Sequence, residues 1–262
     1  MNRTRTPLAD RLRLVPPDSG RHPGHPPALV LVAHGSRDPR ALRTVRALLE
    51  RVRELRPALP VHLGHIELNA PLLPDTLAAL GDTPSVLVPL LLSRGYHVKH
   101  DIPETAAAAP GHARVAAPLG PDPLLVDTLY DRLVEAGWDP AATDRRTDAV
   151  VLASAGSPDP DSAADTRRTA RLLAARLGVP VVPAYASAAT PTVDTAVRAL
   201  AARGRHRVAV ASYFTAPGRF ATECAATAPW LTSAPLGAHP SMARLIADRY
   251  DQALSARTDT AA

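Results

Sequence analysis

The chain has 262 residues, enough for two domains of roughly 100–130 residues or one larger α/β unit. Its net charge of +5 comes from arginines scattered opposite acidic residues along helical patterns, which is typical of solvated helix faces and does not favour a nucleic-acid partner. One cysteine, Cys224, excludes an intramolecular disulfide and suits the cytoplasm, and no apolar run of about 18 residues is available to span a membrane.

The predicted elements alternate between short β-branched runs and amphipathic helices. Residues 1–27, rich in Arg, Pro, Gly and His, predict a disordered leader. The predicted strands are 28–33, 61–66, 86–92, 114–116, 149–153, 179–185 and 208–213. The predicted helices are 40–55, 72–80, 123–135, 162–177, 192–203 and 241–254. Strands that alternate with helices of this length predict an α/β fold with open, doubly wound parallel sheets.

Matching landmarks occur twice in the same order, which indicates a duplicated domain. The paired segments are HGSRDP at 34–39 and AGSPDP at 155–160, NAP at 69–71 and ATP at 189–191, and APLG at 117–120 and 234–237. We therefore predict two similar doubly wound lobes related by a pseudo-two-fold axis. The N-terminal lobe would span 28–137, and a degenerate C-terminal lobe would span 148–257.

Ionisable side chains follow three successive strands of the first half. Each has an ordinary explanation when taken alone. His34 could bond a nearby carbonyl, and Glu67 could sit near the positive end of the helix that follows it. His97 lies in a polar loop in which Asp101 would be the N-cap of the next helix, with Pro103 in its first turn.

Taken together, the three side chains predict a metal site. The carboxyl ends of parallel strands share one edge of a sheet, so His34, Glu67 and His97 should lie close together. Imidazole and carboxylate suit divalent transition metals, and three ligands leave coordination positions open, as in a catalytic or metal-delivering site.

The second half lacks the same residue types, and motifs for other chemistries are missing. The counterparts of the three ligands are Ala155, Ser187 and either Arg219 or Phe220, so we expect one site per chain. Neither a phosphate-binding loop with its lysine nor a dinucleotide-binding glycine pattern is present, so neither ATP nor an organic cofactor is expected. Ser36 lacks the glycine pattern of a hydrolase nucleophile, and Cys224 is expected to be a buried apolar residue.

Several of these motifs resemble the sirohydrochlorin chelatases of the CbiX/SirB type. The resemblance is carried by AHGSRD at 33–38, by Glu67 ahead of NAP, and by GYHV at 95–98 followed by DIP at 101–103. It covers about residues 28–137 closely and the second half more loosely. It implies a bilobal α/β fold with a cleft between the lobes. It also implies His34 and His97 as the metal-handling residues and Glu67 as the accompanying acid, with His100 an accessory at best.

The activity implied by the resemblance is ATP-independent insertion of Fe2+ or Co2+ into sirohydrochlorin. We favour Fe2+, which makes sirohaem. The alternatives are the cobaltochelatase of cobalamin biosynthesis and, as a different class, a non-catalytic metal-binding chaperone. The anionic tetrapyrrole would be held by basic residues at the cleft mouth, for which the candidates are Arg37, Arg40, Arg94, Lys99 and Arg219. We expect a cytoplasmic monomer or homodimer without nucleic-acid or membrane partners.

Overall fold

Two four-stranded parallel sheets, one from each half of the chain, form the framework of the computed structural model, which describes residues 26–256. The strands are β1 (Ala28–Ala33), β2 (Val61–His65), β3 (Ser85–Pro89), β4 (Ala113–Val115), β5 (Asp148–Ser154), β6 (Val181–Tyr185), β7 (Arg207–Ser212) and β8 (Leu231–Thr232). The first sheet has the order β2-β1-β3-β4 and the second the order β6-β5-β7-β8. This repeated order confirms the predicted α/β architecture with two similar lobes.

Helices connect the parallel strands. They are α1 (Pro39–Leu55), α2 (Leu73–Leu80), α3 (Ile102–Ala107), α4 (Pro123–Glu135), α5 (Pro160–Leu177), α6 (Val193–Ala201), α7 (Arg219–Ala225) and α8 (Pro240–Ser255). Aspartates cap three of them: the side chains of Asp38, Asp122 and Asp159 accept hydrogen bonds from the first turns of α1, α4 and α5. A proline in the first turn of each of these helices costs no intrahelical hydrogen bond.

The predicted bounds agree with most of these elements. Strand β1 and helix α4 have the predicted ends, and the other predicted helices differ by at most two residues at either end. The third strand ends at Pro89 rather than at residue 92, and β8 is too short to give an alternating pattern. The predicted leader, apart from Pro26 and Pro27, lies outside the described residues.

The last helix of each half packs against the other half. Helix α8 contacts α1 and β3 of the first half, whereas α4 contacts α5 and β7 of the second. Side chains reinforce this exchange: Arg249 of α8 donates to the carbonyls of Pro118 and Leu119, and the Tyr250 hydroxyl donates to the Pro27 carbonyl at 2.6 Å. The two halves, predicted as lobes at 28–137 and 148–257, therefore share one large apolar cluster, and each half also has a smaller cluster of its own.

Both sheets turn their carboxyl ends towards a cleft between the lobes, which is lined by loops of both halves. This edge of the sheets carries the candidate site. Within residues 26–256, the helices are all too short or too polar to cross a membrane.

Candidate functional site

Three loops at the carboxyl edge of the first sheet bring the predicted ligands together. His34 directly follows β1, Glu67 lies just beyond β2, and His97 lies in the connection after β3. The His34 and His97 rings meet edge to face, with their centroids 4.8 Å apart and their planes at 85°. His34 Nδ1 lies 3.6 Å from Glu67 Oε1, and these two side chains are about half exposed, at 45% and 52%.

The loops that carry His34 and Glu67 are joined by their backbones. The Glu67 N–H donates to the His34 carbonyl at 3.0 Å, and the Ser36 N–H donates to Asn69 Oδ1 at 2.7 Å. Gly35 has a φ of 104°, and a Cβ at that position would lie 1.9 Å from the Glu67 carbonyl oxygen. Only glycine permits this approach of the two chains. The HGS and NAP motifs therefore set the distance between the imidazole and the carboxylate.

His97 opens a π-helical turn, His97–Asp101, that continues into α3. The Asp101 carboxylate lies 2.5 Å from His97 Nδ1. The prediction that Asp101 caps α3 was wrong, because its backbone is already helical and its side chain makes no cap hydrogen bond. The spacing of four residues between His97 and Asp101 is the signal that could have revealed this pair.

The second lobe repeats the backbone of this site without its side chains. Gly156 has a φ of 88°, and a Cβ there would lie 1.9 Å from the Ser187 carbonyl oxygen, as at Gly35 and Glu67. Ala155 and Ser187 therefore replace His34 and Glu67, as predicted. In the first lobe the Lys99 N–H donates to the Gly95 carbonyl, and in the second the Thr222 N–H donates to the Gly218 carbonyl. Aligning these two hydrogen bonds makes Phe220 the equivalent of His97.

The cleft above these loops has a volume of 1620 Å³, larger than the roughly 300–1,000 Å³ of ordinary small-molecule sites. His34, Glu67 and His97 all line it, and Phe214 and Phe220 face it from the second lobe. Within residues 26–256, no three His, Cys, Asp or Glu side chains converge closely enough to enclose a metal ion. The three candidate side chains are thus adjacent, but they form an open arrangement.

The predicted substrate-binding cations fall into two groups. Arg37, Arg40 and Arg219 line the cleft. Arg40 also bonds Asp38, and this hydrogen bond lowers the pKa of the Asp38 carboxyl. Arg219 is 75% exposed and only loosely paired, at 3.9 Å, with Glu223.

Arg94 and Lys99 form the second group, because both are paired with aspartates of the second lobe. Arg94 forms a bidentate pair with the buried carboxylate of Asp165, with distances of 2.7 and 3.0 Å, and its backbone N–H donates to the same side chain. Lys99 Nζ lies 2.6 Å from Asp159 and 2.9 Å from Asp161. Neither cation lines the cleft. Sequence reasoning missed their partners, although the acidic run at 158–165 carries all three aspartates.

The prediction that the single cysteine is buried is confirmed. Cys224 is buried on α7, and burial raises the pKa of its thiol to about 11. His65 also lines the cleft but is only 1% exposed, and its Nδ1 lies 3.1 Å from the Pro71 carbonyl oxygen. Burial lowers its pKa.

Comparisons with known proteins agree with this geometry. A family model described as CbiX matches residues 28–136 and 149–253. Sirohydrochlorin ferrochelatase from Bacillus subtilis is 33% identical over 174 residues, which span 63% of this chain but only 64% of that protein, just under two thirds. Sirohydrochlorin cobaltochelatase from Methanopyrus kandleri is 31% identical over 137 residues, 42% of this chain and 96% of that protein. The solved structure of SirB from Bacillus subtilis with Fe3+ has a TM-score of 0.70 and 26% identity, covering 86% of this chain and 94% of the other.

Proposed function

The chain belongs to the CbiX family, and from this premise we propose that it is a lyase that inserts a divalent metal ion into sirohydrochlorin without ATP. The observation that carries the proposal is the contact between the His34 and His97 rings beside Glu67 at the floor of the cleft. Relatives named as ferrochelatase and cobaltochelatase support the reaction type. The half-exposed, unenclosed side chains suit a site that must release its metal to a substrate.

In the proposed reaction, the metal ion replaces two pyrrole protons of the macrocycle. His34 and His97 present the M2+ ion to the four ring nitrogens, and two N–H bonds break as the metal–nitrogen bonds form. Neutral imidazole is both a ligand for such metals and a base suited to neutral pH. Glu67, which is half exposed beside His34, passes the released protons to solvent.

The cleft supports a large anionic substrate. Its volume of 1620 Å³ suits a tetrapyrrole, and Leu68, Tyr96 and Phe214 add apolar surface against which a macrocycle can pack. Arg37 and Arg219, one from each lobe, are the proposed partners of the substrate carboxylates. We leave Arg94 and Lys99 out of this proposal because both already form ion pairs with aspartates at the N-terminal end of α5 and at its N-cap.

The metal is Fe2+ or Co2+. Donor chemistry does not separate these ions, because selectivity between them follows geometry and availability more than ligand type. Relatives are named for both metals. We propose Fe2+ as the first candidate, as the sequence led us to expect, and Co2+ as the second.

The test is anaerobic incubation of the purified protein with sirohydrochlorin and either Fe2+ or Co2+, without ATP, followed by absorbance. We expect metal insertion well above the rate without protein. His97→Ala should lower kcat by about 100-fold or more, in the range expected for loss of a group that transfers protons. Metal binding without any faster insertion would favour a metal chaperone and overturn the proposal.

The second lobe supplies matched controls. Ser187→Ala, at the position equivalent to Glu67, should leave the rate nearly unchanged, whereas Glu67→Ala should lower it. Ala155→His should not create a second site, because Ser187 and Phe220 still stand at the other two positions. A doubled rate in Ala155→His would contradict the assignment of one site per chain.

A further inference from the structure

We propose that Asp101 is a positioning residue that holds His97 in one tautomer, with Nδ1 protonated and Nε2 left free for the metal or for a pyrrole proton. The proposal rests on the function proposed above and deepens it. It begins from the 2.5 Å separation between the Asp101 carboxylate and His97 Nδ1.

The chemistry of the pair determines which atom carries the proton. An ionised carboxylate only accepts hydrogen bonds, so the Nδ1 atom that faces it must donate. The unprotonated lone pair of neutral His97 is then on Nε2. Histidine ligands commonly donate their other ring N–H to a carboxylate, which fixes both the tautomer and the orientation of the ring.

The surroundings leave Asp101 free for this task. Its carboxylate does not cap α3, and it stands outside the cleft lining to which His97 belongs. The two side chains are 35% and 34% exposed, so each is partly shielded from competing water. Asp101 therefore supports His97 from behind and does not itself reach the cleft.

The backbone at this point differs from its counterpart in the second lobe. In the first lobe a π-helical turn carries both residues, and the Ile102 N–H bonds the His97 carbonyl. Single π-helical turns are rare and often occur at functional sites. In the second lobe the corresponding chain enters α7 as a regular α-helix.

Both members of the pair are replaced in the second lobe. The register that aligns Phe220 with His97 aligns Cys224 with Asp101. Cys224 is 5% exposed and packs in an apolar cluster. The lobe that lacks the imidazole therefore also lacks the carboxylate, as expected if Asp101 acts through His97 and not as a general support for this turn.

The first arm of the test is kinetic. Asp101→Ala should lower kcat for insertion of Co2+ or Fe2+ into sirohydrochlorin by about 10–100-fold, the range typical of such supporting carboxylates. The KM for sirohydrochlorin should change little, because Asp101 does not line the cleft. Glu104→Ala, an exposed carboxylate in the first turn of the same helix, is the matched control and should retain the wild-type kcat.

The second arm reads the tautomer directly in the protein without metal or substrate. Long-range 1H–15N spectra, with the His97 signal assigned from its loss in His97→Ala, should show Nδ1 protonated in the wild type. In Asp101→Ala the signal should move towards the Nε2-protonated tautomer, while the buried His65 signal stays unchanged. Asp101→Asn keeps an acceptor oxygen but adds an amide N–H donor, so it can hold either tautomer of His97, and its kcat should follow the tautomer that the spectra show.

Three results would overturn the proposal. They are a wild-type His97 protonated mainly on Nε2, an Asp101→Ala kcat equal to that of Glu104→Ala, and an Asp101→Asn variant that regains the tautomer without regaining the rate. If the wild type inserts no metal, the proposed function fails, and the tautomer measurement still tests the hydrogen bond on its own.

Discussion

Replacing Gly35 by alanine tests how the site is built. The new Cβ would lie 1.9 Å from the Glu67 carbonyl oxygen, and an ordinary contact begins at 3.4 Å, so the two loops must separate by about 1.5 Å. The positive φ of Gly35 adds strain of about 1–2 kcal/mol. Forced repacking adds about 1–3 kcal/mol, and loss of the Glu67 N–H bond to His34 adds about 1 kcal/mol.

These contributions predict that Gly35→Ala lowers the free energy of unfolding by about 3–6 kcal/mol. Urea unfolding analysed by linear extrapolation measures this value. Gly204→Ala is the control for backbone strain alone, because Gly204 has a φ of 79° and open space where the Cβ would lie. Gly204→Ala should lower the free energy of unfolding by only about 1–2 kcal/mol.

A second control separates stability from activity. Gly156→Ala makes the same collision with the Ser187 carbonyl in the second lobe, so its stability loss should match that of Gly35→Ala. Only Gly35→Ala displaces His34 and Glu67, and a misplacement of this size can lower the rate by about 100-fold per folded molecule. The reasoning is refuted if Gly35→Ala and Gly204→Ala differ by less than about 0.5 kcal/mol, or if both collision variants lose activity equally.

Three further predictions concern stability. Asp165→Asn should lower the free energy of unfolding by about 2–4 kcal/mol, which is less than for a fully buried ion pair because Arg94 is half exposed. The control is Asp194→Asn, which removes an exposed ion pair with Arg198. Equal urea midpoints for the two variants would contradict the prediction. Tyr213→Phe should lower the free energy of unfolding by about 1–2 kcal/mol, because the buried hydroxyl donates to the Leu92 carbonyl of the other lobe at 3.0 Å. An unchanged thermal midpoint would argue against a contribution from that hydrogen bond. Burial lowers the folded-state pKa of His65 below its unfolded value of about 6.5. The contribution of His65 to the free energy of unfolding is therefore complete above about pH 6.5, and it is lost as the pH falls through the folded-state pKa. Urea midpoints from about pH 7.5 to 5.5 should fall less in His65→Gln, and identical slopes would exclude His65 as a cause.

The main features of the site could be predicted from the sequence because parallel sheets leave little freedom at their carboxyl ends. Once β1, β2 and β3 are assigned, the residues that follow them must share one edge. His34, Glu67 and His97 therefore had to lie near one another. The loss of their equivalents in the second half could likewise be read from the repeat.

The basic residues could not be assigned in this way. Arg94 and Lys99 are cations in a polar loop near the site, and such cations pair equally well with substrate carboxylates and with protein carboxylates. The outcome depended on where the N-terminal end of α5 lies, because this end and its N-cap bring Asp159, Asp161 and Asp165 against the loop. Only the docking of the two lobes determines that position.

The sequence by itself determined the duplicated α/β fold and the three side chains at the edge of the first sheet, because both follow from local periodicity and from the order of strands and loops. The tertiary structure decided the exchange of α4 and α8 between the halves, since an apolar helix face does not specify which sheet it covers. It also decided the partner of each charged group. Asp101 bonds His97 instead of capping a helix, and Arg94 bonds Asp165 instead of facing the cleft, because a charge takes the partner that packing places within a hydrogen-bond distance.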